Sequence, residues 1–216
     1  YVRSPQEAIS SDLIILPGSK NVQADLAWLK AQQWDTALKK HLRYGGKVLG
    51  ICGGYQMLGK KITDPHGVEG QAGASCAGLG FLDLHTTLQK TKTLRNVSGH
   101  CLHTKAAING YEIHAGQSLG AALNNPLFTL KHEGGQYFNE GATSEDGQIK
   151  GSYLHGLLDN PAYLNSVLQW CGHTPTKPFD YPAYKLQQLD YLADEVEKAW
   201  PFKAIMGLLG DVGGQA

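Results

Sequence analysis

The stretch GKVLGICGGYQML, Gly46 to Leu58, sets a cysteine at the joint between two different patterns. Lys47 to Ile51 reads as a buried strand, and Gly53 to Lys61 reads as a helix. Cys52 falls between them, and Gly50-Ile51-Cys52-Gly53-Gly54 has the form G-x-C-x-G. This is the cysteine version of the nucleophile elbow, a tight strand-to-helix turn that lifts a reactive atom above a sheet edge. Side chains at the flanking positions would collide with the neighbouring strand or helix. The free N–H groups at the helix start favour a thiolate, and that of Gly53 above all can hold an oxyanion. A glycine-rich turn around a small buried residue would carry the same short pattern.

The surrounding elements give that turn a context. Asp12 to Leu16 reads as a strand stopped by Pro17-Gly18. Asn21 can cap a helix bearing Leu26 and Leu29, and Trp34 to Tyr44 reads as a second helix ended by Gly45-Gly46. Strand, helix, strand, helix at this spacing predicts a parallel sheet in an α/β fold. The loop Leu16-Pro17-Gly18-Ser19-Lys20 would then face the ligand crevice at the carboxyl edge of the sheet. Its backbone N–H groups, at Gly18 and Ser19, are candidates to complete the oxyanion hole. An ordinary Pro-Gly turn is the competing reading.

A nucleophilic cysteine needs a base. Among nine histidines, His155 in Gly151-Ser152-Tyr153-Leu154-His155-Gly156 sits where a strand gives way to glycine. It can serve Cys52 only if the two strands are neighbours. The middle of the chain is β-like, over 79–88, 94–102 and 108–114, and 142–155 reads as a hairpin turning at Asp146-Gly147. Asn160-Pro161 opens a helix that runs to Cys171. Leu186, Leu189, Leu192 and Val196 mark another, and residues 201–216 read as a loose tail. One domain over residues 1–216 is the simplest organisation.

Composition narrows the classes. Lys+Arg and Asp+Glu are 19 each, so no charge surplus invites nucleic acid or an anionic membrane. No segment reads as a membrane span or a secretory signal. Cys52, Cys76, Cys101 and Cys171 form no C-x-x-C pair, and reduced thiols in a cytoplasmic protein are the expectation. His100-Cys101-x-His103 has no second ligand cluster to complete a metal site, so none is expected.

Four stretches occur in order: Leu-Pro-Gly-Ser-Lys at 16 to 20, Gly-Ile-Cys-Gly-Gly-Tyr-Gln at 50 to 56, Gly-Tyr-Glu-Ile-His at 110 to 114 and Tyr-Leu-His-Gly at 153 to 156. Together with Asp64-Pro65-His66-Gly67-Val68-Glu69-Gly70, the set resembles the glutamine amidotransferase domains of the cobyric acid synthase family, over roughly residues 12 to 170. The resemblance implies a class I, flavodoxin-like amidotransferase fold: a mostly parallel sheet flanked by helices, with an added antiparallel β section. It implies glutamine hydrolysis, with Cys52 as nucleophile, His155 as base and Gln56 against the bound glutamine. Glu112 and His114 share one face of a strand and are candidates to line the same pocket, although a plain alternating strand would look alike.

The resemblance also implies partners. Ammonia would pass to a synthetase domain that uses ATP and Mg²⁺ to amidate carboxylates of a corrinoid. The chain contains no G-x-x-x-x-G-K-[ST] loop, so that domain, and the family's first glutaminase strand, are expected ahead of Tyr1 or, for the domain, on another subunit. Many class I glutaminases carry an acid two residues after the histidine. Leu157 occupies that position here, as in the cobyric and cobyrinic acid branch.

Overall fold

The computed structural model describes residues 1–8, 10–174 and 179–209. They fall into two compact units, residues 1–178 and residues 179–216. The strands of the first unit are β1 (Leu13–Leu16), β2 (Lys47–Ile51), β3 (Lys61–Asp64), β4 (Ala74–Ala77), β5 (His85–Cys101), β6 (Ala107–Leu119), β7 (Phe128–His132), β8 (Phe138–Glu140), β9 (Ala142–Thr143), β10 (Ile149–Ser152) and β11 (Leu154–His155). Its helices are α1 (Val22–Ala31), α2 (Trp34–Arg43), α3 (Gly53–Leu58) and α4 (Pro161–Trp170).

Two sheets organise these elements. The first has the order β1-β2-β10-β9, with β1, β2 and β10 parallel and β9 antiparallel at one edge. Helices α1, α2 and α3 pack one face of it through Val22, Leu26, Trp34, Leu38, Tyr55 and Leu58, against Ile14, Leu16 and Val48. A second core, with Phe128, Leu130, Leu157, Tyr163 and Val167, takes Leu13 and Ile51. Strand β2 is therefore covered on both sides, and its unbroken apolar run follows from that. Strand β1 lies at the edge, which leaves Ile15 exposed within a segment that reads as fully buried.

The second sheet runs β11-β6-β5-β3-β4, with β7 pairing β5 and β8 pairing β7. All its pairs are antiparallel except β3 with β5. This is the expected antiparallel addition, with different boundaries. A bulge between Leu88 and Thr93 interrupts one continuous β5, which explains why the sequence suggests two segments there. Residues 79–84 are not strand. The N–H groups of Leu79, Phe81 and Leu82 instead satisfy the carbonyls of Met57 and Leu58 at the end of α3. That helix stops at Leu58 rather than Lys61, because Gly59 turns extended and Lys61–Asp64 is drawn into pairing with β4 and β5.

Caps behave as their residues suggest at α1, where the Asn21 side chain accepts from the Ala24 N–H at 3.2 Å. Asn160 departs from the expected cap. Its side chain reaches across to β6, accepting from the Asn109 N–H and donating to the Asn109 carbonyl, both at 2.9 Å, and it donates to the Gly156 carbonyl at 2.8 Å. The clasp holds the chain just beyond β11 against β6. The second unit contains α5 (Tyr181–Ala199) and α6 (Phe202–Leu209). Helix α6 occupies part of the expected loose tail, and residues 210–216 lie outside the described residues. Among the described residues, no helix is long and apolar enough to cross a membrane.

Candidate active site

Cys52 sits between β2 and α3 with φ 52° and ψ −108°. An L residue adopts that backbone only under strain, on the order of 1–3 kcal/mol, and only where its surroundings hold it. They do so closely here. The Cys52 N–H donates to the Ser152 carbonyl at 2.8 Å, and the Gly54 N–H donates to the Pro17 carbonyl at 3.0 Å. A Cβ on Gly53 would stand 2.7 Å from the Ser19 nitrogen, and one on Gly54 would strike the Leu16 carbonyl. On Gly50 it would meet the Tyr55 backbone at 2.8 Å. The glycines of the G-x-C-x-G pattern are thus required by neighbouring backbone.

His155 arrives from β11, three residues past the end of β10, and β10 is the parallel neighbour of β2. The adjacency needed for the pair therefore exists. A Cβ placed on Gly18 would lie 3.7 Å from His155 Cε1 and 3.8 Å from Cys52 Cβ, so the two side chains flank this one glycine. Both line a cavity of about 390 Å³, shared with Gly18, Ser19, Gly53, Gln56 and His114. Six of the seven expected partners and oxyanion donors of Cys52 are on that wall. Glu112 is not. It is buried behind His114, with Arg95 Nε 2.5 Å from its Oε2 and His114 Nε2 3.8 Å from its Oε1.

The electrostatics correct one expectation. Burial pushes the Cys52 thiol up, and the N–H of Gly53 only partly offsets it. The start of the six-residue α3 does not outweigh that desolvation. Burial likewise lowers the His155 pKa, with His114 adding to the effect. At rest the pair is thiol and neutral imidazole, the state in which histidine can act as a base. His155 Nε2 is buried without a hydrogen-bond partner, and Cys52 Sγ lies 3.7 Å from the Ile113 carbonyl.

Oxyanion donors are available. The Gly53 N–H is directed at the Cys52 sulfur. Among the described residues, the Gly18 and Ser19 N–H groups enter no backbone hydrogen bond. The Ser19 hydroxyl is occupied elsewhere, donating to Asp25 at 2.5 Å, so the contribution of Ser19 is its backbone.

A polar network lies beneath the wall. His114 stacks on Tyr153 with ring centroids 3.9 Å apart and bonds the Gly116 carbonyl through Nδ1 at 2.8 Å, which makes Nδ1 the protonated nitrogen. The Tyr153 hydroxyl meets Ser118 at 2.6 Å and also hydrogen-bonds Gln56. Gln56 Oε1 is buried and unpartnered. A Cβ on Gly116 would strike Gln56 Nε2, so Gly116 makes room for that amide. Glu140, buried, accepts from the Ser152 hydroxyl and the Tyr153 N–H, each at 2.6 Å, and burial pushes its pKa up to about 7. Neither Tyr153 nor Glu140 was assigned a role from sequence, and Glu140 falls outside every recognised motif.

Three charged residues of the cavity were also unassigned: Lys20, Glu69 and Lys92. Glu69 accepts from the Val22 N–H at the start of α1, at 2.7 Å. It is presented by a loop that Asp64 organises by accepting from the Val68 and Glu69 N–H groups at 2.8 and 2.9 Å. The legible signal was Asp64-Pro65-His66-Gly67-Val68-Glu69-Gly70, read as a mark of kinship rather than as part of the site.

Comparison with solved structures places the fold. A crystal structure of glutamine amidotransferase superposes with a TM-score of 0.56 at 17% identity, covering 80% of this chain and 85% of that one. The PurLQS structure from Thermotoga maritima superposes with a TM-score of 0.50 at 17% identity, covering 74% of this chain and 79% of that one. The fold is that of class I glutamine amidotransferases. The model of the CobB/CobQ-like glutamine amidotransferase domain family matches residues 1–163. The chain belongs to the CobB/CobQ-like glutamine amidotransferase family.

Proposed function

We propose that this chain hydrolyses glutamine through a thioester on Cys52, and that the ammonia serves cobyric acid synthesis. The observation that carries the chemistry is the strained Cys52 backbone, held beside His155 over one cavity. Strain of that kind persists where it serves a function. The Cys52 thiol gives its proton to the neutral His155 as sulfur attacks the side-chain carboxamide carbon. The oxyanion is received by the N–H groups of Gly53 and of the Gly18-Ser19 loop. Collapse breaks the C–N bond, and the imidazolium returns its proton to the departing nitrogen, giving ammonia and a glutamyl thioester. Water, deprotonated by His155, cleaves the thioester and restores the thiol with release of glutamate. Gln56, Lys20, Lys92 and Glu69 supply polar and charged groups suited to the zwitterionic end of glutamine.

The acceptor follows from the family resemblance rather than from the cavity. In this reading a synthetase, in the same polypeptide or another, uses ATP and Mg²⁺ to activate carboxylates of adenosylcobyrinic acid a,c-diamide, and this chain delivers ammonia to it. The chain itself needs no cofactor for glutamine cleavage. A related acceptor, as in cobyrinic acid a,c-diamide synthesis or cell-wall amidation, is the second reading, since the motifs that carry the glutaminase chemistry do not specify where ammonia goes. The deciding experiment combines the chain with glutamine, ATP, Mg²⁺ and the a,c-diamide, with and without a cobyric acid synthetase domain. Amidated corrinoid only in the presence of the synthetase supports the reading. Product without it, or glutamate release that persists in Cys52→Ala, contradicts it.

A further inference from the structure

His155 lacks the acid that orients the histidine in many related glutaminases. Leu157 stands at that position and is 2% exposed, inside the second core. The electrostatics agree, because a carboxylate on the ring would raise the His155 pKa, whereas burial and His114 lower it. With Nε2 unpartnered, hydrogen bonding at that atom does not fix the ring either.

A different contact does. Tyr111 lies directly opposite His155 in the antiparallel pairing of β6 with β11. Opposite residues in such a pair project from the same face with Cβ atoms about 4.5–5.5 Å apart. The rings are stacked, with centroids 5.2 Å apart and planes 10° from parallel. This is the offset geometry that aromatic pairs prefer. The backbone enforces the register, because Gly110 brings β6 so close to β11 that a Cβ there would strike the His155 carbonyl. Gly156 at φ 78° then turns the chain away, and the Asn160 clasp holds that turn to Asn109.

We propose that Tyr111 is the positioning residue of the catalytic base: its ring face, in place of a carboxylate, restricts rotation of the His155 imidazole. The inference rests on the glutaminase reading for its kinetic consequence, not for its geometry. A face restrains ring rotation without adding charge, so the base stays neutral at rest. The phenol hydroxyl plays no part, which separates this role from acid–base participation by Tyr111. Tyr111 is 44% exposed and belongs to neither core, so removing its side chain does not open the core.

The experiment compares Tyr111→Phe, Tyr111→Leu and Tyr111→Ala in the full chain, after their melting temperatures have been matched to the parent. Two rates are read: glutamate release, and alkylation of Cys52 by iodoacetamide near neutral pH. Misplacement of a catalytic group costs on the order of 100-fold. The Leu and Ala variants are therefore expected to lose about 10- to 100-fold in kcat with KM little changed, and to alkylate several-fold more slowly. Tyr111→Phe is expected to stay within about twofold of the parent in both. Leu and Ala variants with parental rates would overturn the proposal, as would a Phe variant impaired as far as Leu. Parent chain that alkylates at Cys52 but releases no glutamate counts against the glutaminase reading alone, and the alkylation series then decides the role of Tyr111.

Discussion

The backbone N–H of Cys52 donates to the carbonyl of Ser152 at 2.8 Å, which ties the nucleophile to the strand end three residues before its base. One hydrogen bond thus joins two motifs far apart in sequence. It also holds Cys52 at φ 52° and ψ −108°, where only glycine is at ease.

Stability should therefore rise when function is removed in one particular way. Cys52→Gly relieves the strained backbone, and Cys52→Ala does not. Calorimetry is expected to give Cys52→Gly a higher Tm than Cys52→Ala, with both inactive. The reverse order would show that the elbow carries no strain.

The thiol and imidazole are both neutral at rest, because burial raises one pKa and lowers the other. The base must be neutral to act, and a lowered pKa keeps it so to lower pH. The acidic limb of kcat/KM should therefore fall below the ordinary histidine value of about 6.5. Alkylation of Cys52 should climb steadily with pH through neutrality. A plateau of alkylation extending down to pH ~5 would indicate a preformed thiolate–imidazolium pair.

Glu140 supports the bend between β10 and β11 from below, and its pKa of about 7 makes that support pH-dependent. A carboxyl whose folded pKa is raised binds its proton more tightly in the folded state. The cost of ionising it is absent below the unfolded value and is incurred as pH rises through about 7. Tm should fall as pH rises from about 5 to about 7 in the parent and level off above that, and the slope should flatten in Glu140→Gln. Identical slopes in thermal melts would place the titration elsewhere.

Leu157 packs in the second core, so a carboxylate there must be desolvated. Leu157→Glu is expected to lower Tm and bring no gain in turnover. A faster enzyme would mean that His155 needed an acid after all, and the stack on Tyr111 would not suffice.

Much of the site was legible because its residues are tied to backbone geometry. Gly53 and Gly54 are glycine because Ser19 and Leu16 crowd them, and a motif records that constraint locally. The parallel β1–β2 pairing followed from strand and helix periods. The second sheet was harder. Its long strands carry a bulge, and short β3 and β4 have mixed exposure that gives no clean alternation. Tyr111 and Glu140 were invisible as partners for a related reason. Their roles come from register across strands, Tyr111 opposite His155 and Glu140 behind Ser152, and no local pattern encodes register. The sequence shows the helix start that favours a thiolate but not the burial of the sulfur, which raises the thiol pKa.

The central claim is that Cys52, alone among four cysteines, attacks the carboxamide of glutamine. Treatment of the chain with a diazoketone analogue of glutamine, followed by peptide mass mapping, tests it most directly. The account predicts one equivalent of label, located on Cys52 and suppressed by excess glutamine, with Cys76, Cys101 and Cys171 unmodified. Label on another cysteine, or label on Cys52 that glutamine does not suppress, would contradict it.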